Sequence, residues 1–419
     1  MAHAQRSRAP LYIFIGGIIV LFAAFAGWWL LRSVVPRSPA RSRAILVLVR
    51  FSDLPGWSAS DPRPTLQAFA RSCAVLLTKP DTERLGINGY AGAVHDWRSV
   101  CIHAATPVYD AQGARAFFES FFAPAEVQAN GGLEPLFTGY YEPELSASRV
   151  RHYRYQTPIY GPPANLVSAD LGQFRPELQG EHLTGCLDGH QLRPCQTRAE
   201  IDASGLEQAQ VLFYAEDPVA VFFLHIQGSG RVRLEDGTLI RVAYAGQNGR
   251  PYTAVGKVLL QRGLIDRAGM SMQAIRAWMT THGKQARDLM ETDQSYIFFK
   301  EAPLGDPNLG SPGSEGVPLT PAASAAVDTH IHPMGMPVYF AAKQPNADSA
   351  RPEHAFNQLL VAQDTGGAIR GPARADIFWG FGKDAESIAG RMKSNGRFFV
   401  LLPKTVAAHL SGRRELPVS

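Results

Sequence analysis

The hydrophobic pattern divides the chain into three stretches. The first is Leu11 to Leu31, 21 residues without a charge, long enough to cross a bilayer as a helix. Trp28 and Trp29 near its end suit the membrane interface. Ala24-Phe25-Ala26 offers a small-x-small cleavage site, but the apolar run continues through Trp28 and Leu31. That continuation favours an uncleaved anchor over a signal peptide. Residues 32–44 then read as a basic linker containing Pro and Ser. In the second stretch the apolar period is helical. Leu66, Phe69, Cys73 and Leu76/Leu77 predict a helix over 66–77, with Asp61 or Thr65 as its cap. Phe117, Phe118, Phe121 and Phe122 form one apolar face of a second helix over 114–122, read as core packing.

From Leu136 onward the pattern changes to short apolar runs broken by glycine and proline. Phe137–Tyr141 and Tyr155–Tyr160 read as strands, and Val219–Ile226 as a buried strand. Arg231–Leu234, the turn Glu235-Asp-Gly237 and Leu239–Tyr244 read as a hairpin. Helices are predicted near Val255–Gln261 and Met272–Leu289, and a strand over Gln294–Lys300. Residues 303–318 form a Pro/Gly-rich loop and a candidate domain crossing. Strands follow around Ala323–Val327, Pro337–Ala341, Gln358–Ala362, Ala375–Trp379 and Gly396–Leu402, so the last hundred residues read as a compact β-barrel. No internal repeat is present.

Composition changes this picture only slightly. Thirty-nine glycines and 30 prolines in 419 residues fit a turn-rich β protein, and the length suits two or three domains. The net charge of +4 is mild, with much of the positive excess between Arg6 and Arg50. No basic stripe interleaved with aromatics appears, which speaks against nucleic acid as a partner. Arg6 and Arg8 precede the apolar run, whereas Arg32, Arg37, Arg41 and Arg43 follow it. That count slightly favours a cytoplasmic C-terminal side, but the cysteines and the chemistry point outward. Four cysteines permit three pairings. Their order suggests two local bridges, Cys73 with Cys101 and Cys186 with Cys195, which an oxidising compartment would preserve. No cysteine spacing or histidine cluster suits zinc. His330-Ile-His332 lacks a third ligand, and His225 reads as a core histidine.

Candidate chemistry concentrates between Leu359 and Gly382. A buried strand runs into Asp364, glycines 366, 367 and 371 turn the backbone, and a second strand starts around Asp376. Such a connection brings two carboxylates to one rim, and Asp328 supplies a third after another strand. Carboxylates that are close together or beside apolar walls take up protons near neutrality. Phe378, Trp379 and Phe381 offer such walls and also faces for sugar rings. Asp364 and Asp328 read equally well as groups that bind turn amides. Asp364-Thr-Gly366 matches the aspartic-protease tripeptide, but no second copy exists to share the proton. Spacing alone does not say which aspartate works.

These segments together resemble the MltA family of membrane-bound lytic murein transglycosylases, over roughly residues 130 to 403. The matching blocks are Phe137-Thr-Gly-Tyr-Tyr-Glu-Pro143, Tyr155-Gln-Thr-Pro-Ile-Tyr160, Arg198-Ala-Glu-Ile201 and Phe223-Leu-His-Ile-Gln-Gly-Ser-Gly230. They continue with Ala243-Tyr-Ala-Gly-Gln-Asn-Gly249, Tyr296-Ile-Phe-Phe299 and the Asp364–Gly382 stretch. Asp328, Asp364 and Asp376 match the three aspartates of the family's C-terminal 3D domain. The departures are an anchor in place of a lipid-modified cysteine and the long 303–318 loop.

The resemblance implies a mainly β fold. A double-psi β-barrel domain (residues 45–144 plus 311–419) would carry an inserted β-barrel-like domain (145–310) and flanking helices, to which the apolar run adds an N-terminal membrane helix and linker (1–44). It implies a glycan groove between the domains, with Asp376 catalytic and Asp364 supporting it. Thr138, Tyr140, Tyr141, Gln227, Ser229 and Asp328 are the candidate substrate contacts, and Gly228 and Gly230 would allow close backbone approach. The expected activity is cleavage between MurNAc and GlcNAc in peptidoglycan with formation of 1,6-anhydromuramic acid, needing no metal or cofactor. The expected place is the periplasmic side of the bacterial membrane. A hydrolytic muramidase and a non-catalytic glycan-binding barrel are the alternatives.

Overall fold

The computed structural model describes residues 44–106, 110–129, 134–175, 178, 182–410 and 413–416. The apolar run Leu11–Leu31 lies outside the described residues. Among the described residues no helix is long and apolar enough to cross a membrane.

The chain opens with β1 (Ala44–Leu48) and three helices, α1 (Arg63–Leu76), α2 (Val94–Ala104) and α3 (Ala111–Phe121). Asp110 caps α3 by accepting from Gly113 N, which satisfies an otherwise orphaned amide. Pro62 takes the N-cap position of α1, Asp61 just before it accepts from the first helical amide, Arg63 N, at 3.1 Å, and Thr65 donates its hydroxyl to the Leu359 carbonyl. Phe69, Trp97, Phe118 and Phe122 interlock beneath these helices and join the main core. A disulfide ties Cys73 on α1 to Cys101 on α2. Strands β2 (Phe122–Ala129) and β3 (Leu136–Glu142) follow.

After Pro143 the chain enters different sheets. It builds β4 (Glu144–Ser148), β5 (Thr157–Tyr160), β6 (Leu166–Asp170), β7 (His182–Asp188), β8 (Gln191–Arg193), α4 (Arg198–Ser204), β9 (Val211–Ala215) and α5 (Pro218–Gln227). Strands β10 (Gly230–Arg233) and β11 (Leu239–Gln247) form the predicted hairpin. Helices α6 (Val255–Gln261), α7 (Met272–Thr281) and α8 (Gly283–Met290) precede β12 (Ile297–Ala302). Strands β4, β5 and β9–β12 make one six-stranded sheet, and β6–β8 a three-stranded one. Cys186 on β7 is bonded to Cys195 just beyond β8.

Two predicted elements differ here. Val219–Ile226 is not a strand but part of α5. Asp217 accepts from Val219 N at 2.8 Å, Pro218 occupies the first turn, and Gly228 at φ 77° ends the helix. Its apolar residues face two cores at once: Val221 and Leu224 enter one cluster, Val219, Phe222 and Phe223 another. A helix buried on all sides loses its polar stripe and reads like a buried strand. The long helix predicted over 272–289 breaks in two at His282–Gly283.

Beyond residues 303–323 the chain returns to the first sheet with β13 (Ser324–Val327), β14 (Pro337–Gln344), β15 (His354–Asp364) and β16 (Arg374–Phe381). Helix α9 (Gly382–Ala389), β17 (Lys393–Asn395), β18 (Arg397–Pro403), α10 (Lys404–Ala407) and β19 (Arg413–Leu416) complete it. This sheet has ten strands in the order β17-β3-β16-β13-β15-β14-β18-β2-β1-β19. The pairs β13/β15 and β16/β3 are parallel. The fold is thus mainly β, with several sheets and a minority of helices.

Candidate active site

Strand alternation selects the residues of the site. Arg374 and Asp376 stand two apart on one face of β16, while Ala375 and Ile377 point into the core. The parallel register places Thr138 of β3 directly beside Asp376. The Thr138 hydroxyl donates to Asp376 Oδ1 at 2.6 Å, and Arg374 Nη2 donates to the same Thr138 oxygen at 2.8 Å. Two positions along β3, the Tyr140 hydroxyl donates to Asp364 Oδ2 at 2.9 Å. The Tyr140 ring packs 5.3 Å from that of Phe378.

The two aspartates have different surroundings. Asp364 Oδ1 accepts from Ser314 N (2.9 Å), Ser314 Oγ (2.7 Å) and Thr365 N (2.9 Å). With Tyr140, four donors converge on it, about as many as a carboxylate can accept. Asp376 has the Thr138 bond alone, and no protein hydrogen bond reaches its Oδ2 among the described residues. Desolvation raises the proton affinity of Asp376, and the nearby Asp364 adds to this. The Arg374 charge and the Thr138 hydroxyl oppose it without reversing it. Burial and the Asp364 carboxylate push the Tyr140 hydroxyl well above its ordinary range.

The other residues expected to touch substrate divide differently. Tyr141 points to the opposite face of β3, where it is buried against Ala385 and Ala389 of α9. Gln227 Oε1 accepts from Tyr141 N at 3.0 Å, so it braces β3 from the end of α5. Ser229 is half-buried in the turn that follows. In that turn Gly230 lies against the Pro143 carbonyl, 2.8 Å from where a Cβ would sit. At Gly228 nothing lies within 4 Å of that position. Asp328 is 5% exposed. It accepts from Gly371 N (2.7 Å) and from His330 N (3.2 Å) and so ties down the loop between the aspartates. His332 is bonded at both ring nitrogens, to the Tyr90 hydroxyl and to the Pro372 carbonyl. Burial pushes its pKa down to about 4.

Sequence reasoning missed three features. Arg374 was available from strand alternation, counting back two from Asp376. Ser314 was not, because the 303–318 loop folds back onto Asp364 from 50 residues away. The third is a buried ion cluster next to the site. Glu142, fully buried at the end of β3, pairs with Arg231 (3.0 Å) and Arg241 (3.4 Å) of the six-stranded sheet. Arg231 also lies over the Phe381 ring, 3.4 Å from its centroid. Of the three aromatics after Asp376, Phe378 packs against Tyr140 and Trp379 against the cluster of Tyr141, Ala385 and Ala389 on the other face of β3. Trp379 packs on Phe356.

A separate cavity of about 890 Å3 lies in the inserted segment among Tyr160, Arg198, Asp202, Phe222, His225 and Tyr296. None of Thr138, Tyr140, Asp364 or Asp376 lines it. His225 is buried there, with Nδ1 3.0 Å from Arg198 Nη1. Among the described residues no group of three or more histidines, cysteines and acidic side chains could hold a metal.

Comparison with known proteins agrees with this architecture. Residues 136–300 match the family described as "MltA specific insert domain" and residues 323–402 match "3D domain". The chain is 35% identical over 272 residues to membrane-bound lytic murein transglycosylase A of Vibrio cholerae. That match covers 64% of this chain and 65% of the relative, so the chain spans just under two thirds of the length of this curated relative. A crystal structure of a membrane-bound lytic murein transglycosylase from Agrobacterium tumefaciens superposes with a TM-score of 0.75 at 32% identity. It covers 87% of this chain and 99% of its own. The structure of E. coli MltA with bound chitohexaose gives a TM-score of 0.59 at 29% identity, covering 81% of this chain and 90% of that one.

Proposed function

This chain belongs to the MltA family, and from that premise we propose that it is a peptidoglycan lytic transglycosylase in which Asp376 is both acid and base. The observation that carries the reading is the asymmetry of the two aspartates. Four donors occupy Asp364, whereas Asp376 is desolvated, inclined to hold a proton and without a protein hydrogen bond at Oδ2 among the described residues. A carboxyl whose proton affinity is raised in this way is suited to protonating a leaving oxygen.

The reaction needs two proton transfers. Asp376 gives its proton to the oxygen between MurNAc and GlcNAc as the bond from that oxygen to C1 of MurNAc breaks. The resulting carboxylate takes the proton of the C6 hydroxyl as O6 bonds to C1. The products are a 1,6-anhydromuramic end and a free GlcNAc 4-hydroxyl. Asp376 regains its proton, and water is not consumed. Asp364 holds Tyr140 and the Ser314 loop in place beside the reacting centre. No metal or organic cofactor has a step to perform.

The substrate is the glycan strand of peptidoglycan. The bound chitohexaose in the E. coli relative supports a saccharide-binding groove in this fold. Here that groove runs beside β3, with Tyr140 and Ser229 as remaining sugar contacts. Thr138 acts through Asp376, and Tyr141 and Gln227 act by holding β3. We infer a double-psi barrel domain of residues 45–144 plus 311–419 and an inserted domain of 145–310, a division supported by the separation of the strands into different sheets. The run Leu11–Leu31 serves as a membrane anchor that keeps both in the periplasm.

Mass spectrometry of purified sacculi digested with the protein tests the reaction. Muropeptides ending in 1,6-anhydromuramic acid are expected. Products ending in reducing MurNAc would make the protein a muramidase, and binding without release would make it a glycan-binding module.

A further inference from the structure

Arg374 has no role in the reaction as described so far, yet its guanidinium is fixed in the site. Nη1 donates to the backbone carbonyls of Leu136 and Ala375, and Nη2 donates to Thr138 Oγ1 at 2.8 Å. The side chain is partly buried, and burial lowers its proton affinity while the charge of Asp376 restores part of it. An arginine donates and never accepts. Its bond to Thr138 therefore takes a lone pair of that oxygen and leaves the hydroxyl hydrogen to go elsewhere. The partner present for it is Asp376 Oδ1, 2.6 Å away.

We propose that Arg374 is a positioning residue that acts through Thr138 to fix which oxygen of Asp376 carries the working proton. With Thr138 held as a donor, Oδ1 is an acceptor in both protonation states. The proton then resides on Oδ2, the oxygen without a protein hydrogen bond among the described residues. Delivery to the glycosidic oxygen and recovery from the C6 hydroxyl both use that oxygen, so the carboxyl need not rotate between steps. The inference rests on Asp376 being the acid and base. The charged or titratable groups around Asp376 are Arg374 on its own strand, Tyr140 on β3 and Asp364 at the end of β15. Of these, Arg374 alone is cationic and holds the proton affinity of Asp376 down.

The test is steady-state release of anhydromuropeptides across pH by the full chain and its Arg374→Met, Arg374→Lys, Thr138→Val and Arg374→Met/Thr138→Val variants. Loss of Arg374 is expected to lower kcat about 10-fold or more with KM within about 2-fold, because the interaction serves the transition state. The alkaline limb of kcat should move to higher pH in Arg374→Met, since a neighbouring positive charge has been removed, and return toward the wild-type position in Arg374→Lys. The double variant should have the kcat of Thr138→Val alone, since both changes cut one relay. Three results overturn the inference: an unmoved alkaline limb in Arg374→Met, a rise in KM at unchanged kcat, or additive losses in the double variant. An active Asp376→Asn variant would remove the underlying reading instead. Thermal unfolding of each variant separates a folding defect from these effects, and if Arg374→Met does not fold, the Arg374→Lys and Thr138→Val profiles decide.

Discussion

Glu142 and Arg231 form an ion pair of 3.0 Å with both side chains 5% exposed or less, and it joins the end of β3 to the six-stranded sheet. Arg241 adds a second cation, and the amide of Ser311 donates to the same carboxylate. The chain leaves the ten-stranded sheet one residue later, at Pro143. The cluster therefore fixes the angle at which the inserted segment leaves the strand that carries Thr138 and Tyr140. Glu142→Gln would leave two buried guanidinium groups without a counter-charge. A loss of about 3–5 kcal/mol of stability is expected, measured by denaturant unfolding. A loss below about 1 kcal/mol would show that the cluster is not a structural pin.

Tyr140 and Ser314 hold Asp364 by different oxygens, Oδ2 and Oδ1. Tyr140→Phe removes a hydrogen bond to a charged acceptor that is worth about 1.5–3 kcal/mol. If that bond is made fully in the transition state, kcat falls roughly 10- to 100-fold. Ser314→Ala keeps the amide donor and should lose less than Tyr140→Phe. The reverse order of the two rates on sacculi would place the Ser314 loop, and not Tyr140, in charge of Asp364.

Glu315 makes stability depend on pH. Its carboxyl, carried by the 303–318 loop, accepts from the Ser72 hydroxyl at 2.6 Å, and burial pushes its pKa up to about 7. A carboxyl raised in the folded state stabilises the fold below its unfolded pKa, near 4.5. That contribution is lost as pH rises to about 7 and is gone above it. The loss over this window is about 3 kcal/mol, from 1.36 kcal/mol per pKa unit. Urea midpoints of the wild type and Glu315→Gln, compared at pH 4.5 and 8, check this. The wild type should lose more stability than the variant between the two. Parallel changes would mean that Glu315 is solvated.

Much of this was legible in the sequence because local pattern decides it. The strands ending at Asp364 and containing Asp376 follow from short apolar runs between glycines. Helices α1 and α3 follow from a 3.6-residue period. Helix α5 was misread because burial on two sides erased its period, although Asp217-Pro218 and Gly228 marked its ends. Thr138 and Gln227 were identified as site residues, but their partners depend on parallel register and on packing across 86 residues of chain. Ser314, Glu142 and Arg231 were out of reach, because each acquires its role only from a partner brought in by tertiary folding. The asymmetry between Asp364 and Asp376 is of the same kind. It comes from the number of donors around each, which spacing does not record.

The division of labour between the two aspartates is tested most directly by the rate at which Asp376→Asn and Asp364→Asn variants release anhydromuropeptides from sacculi. A residue that serves both proton transfers should be nearly indispensable. Asp376→Asn is expected to lose roughly 10^3-fold or more of the wild-type rate, while Asp364→Asn retains measurable turnover with the same anhydro product. An Asp376→Asn protein that keeps more than about a tenth of the wild-type rate, a loss of at most about 1.4 kcal/mol in barrier, would contradict the account.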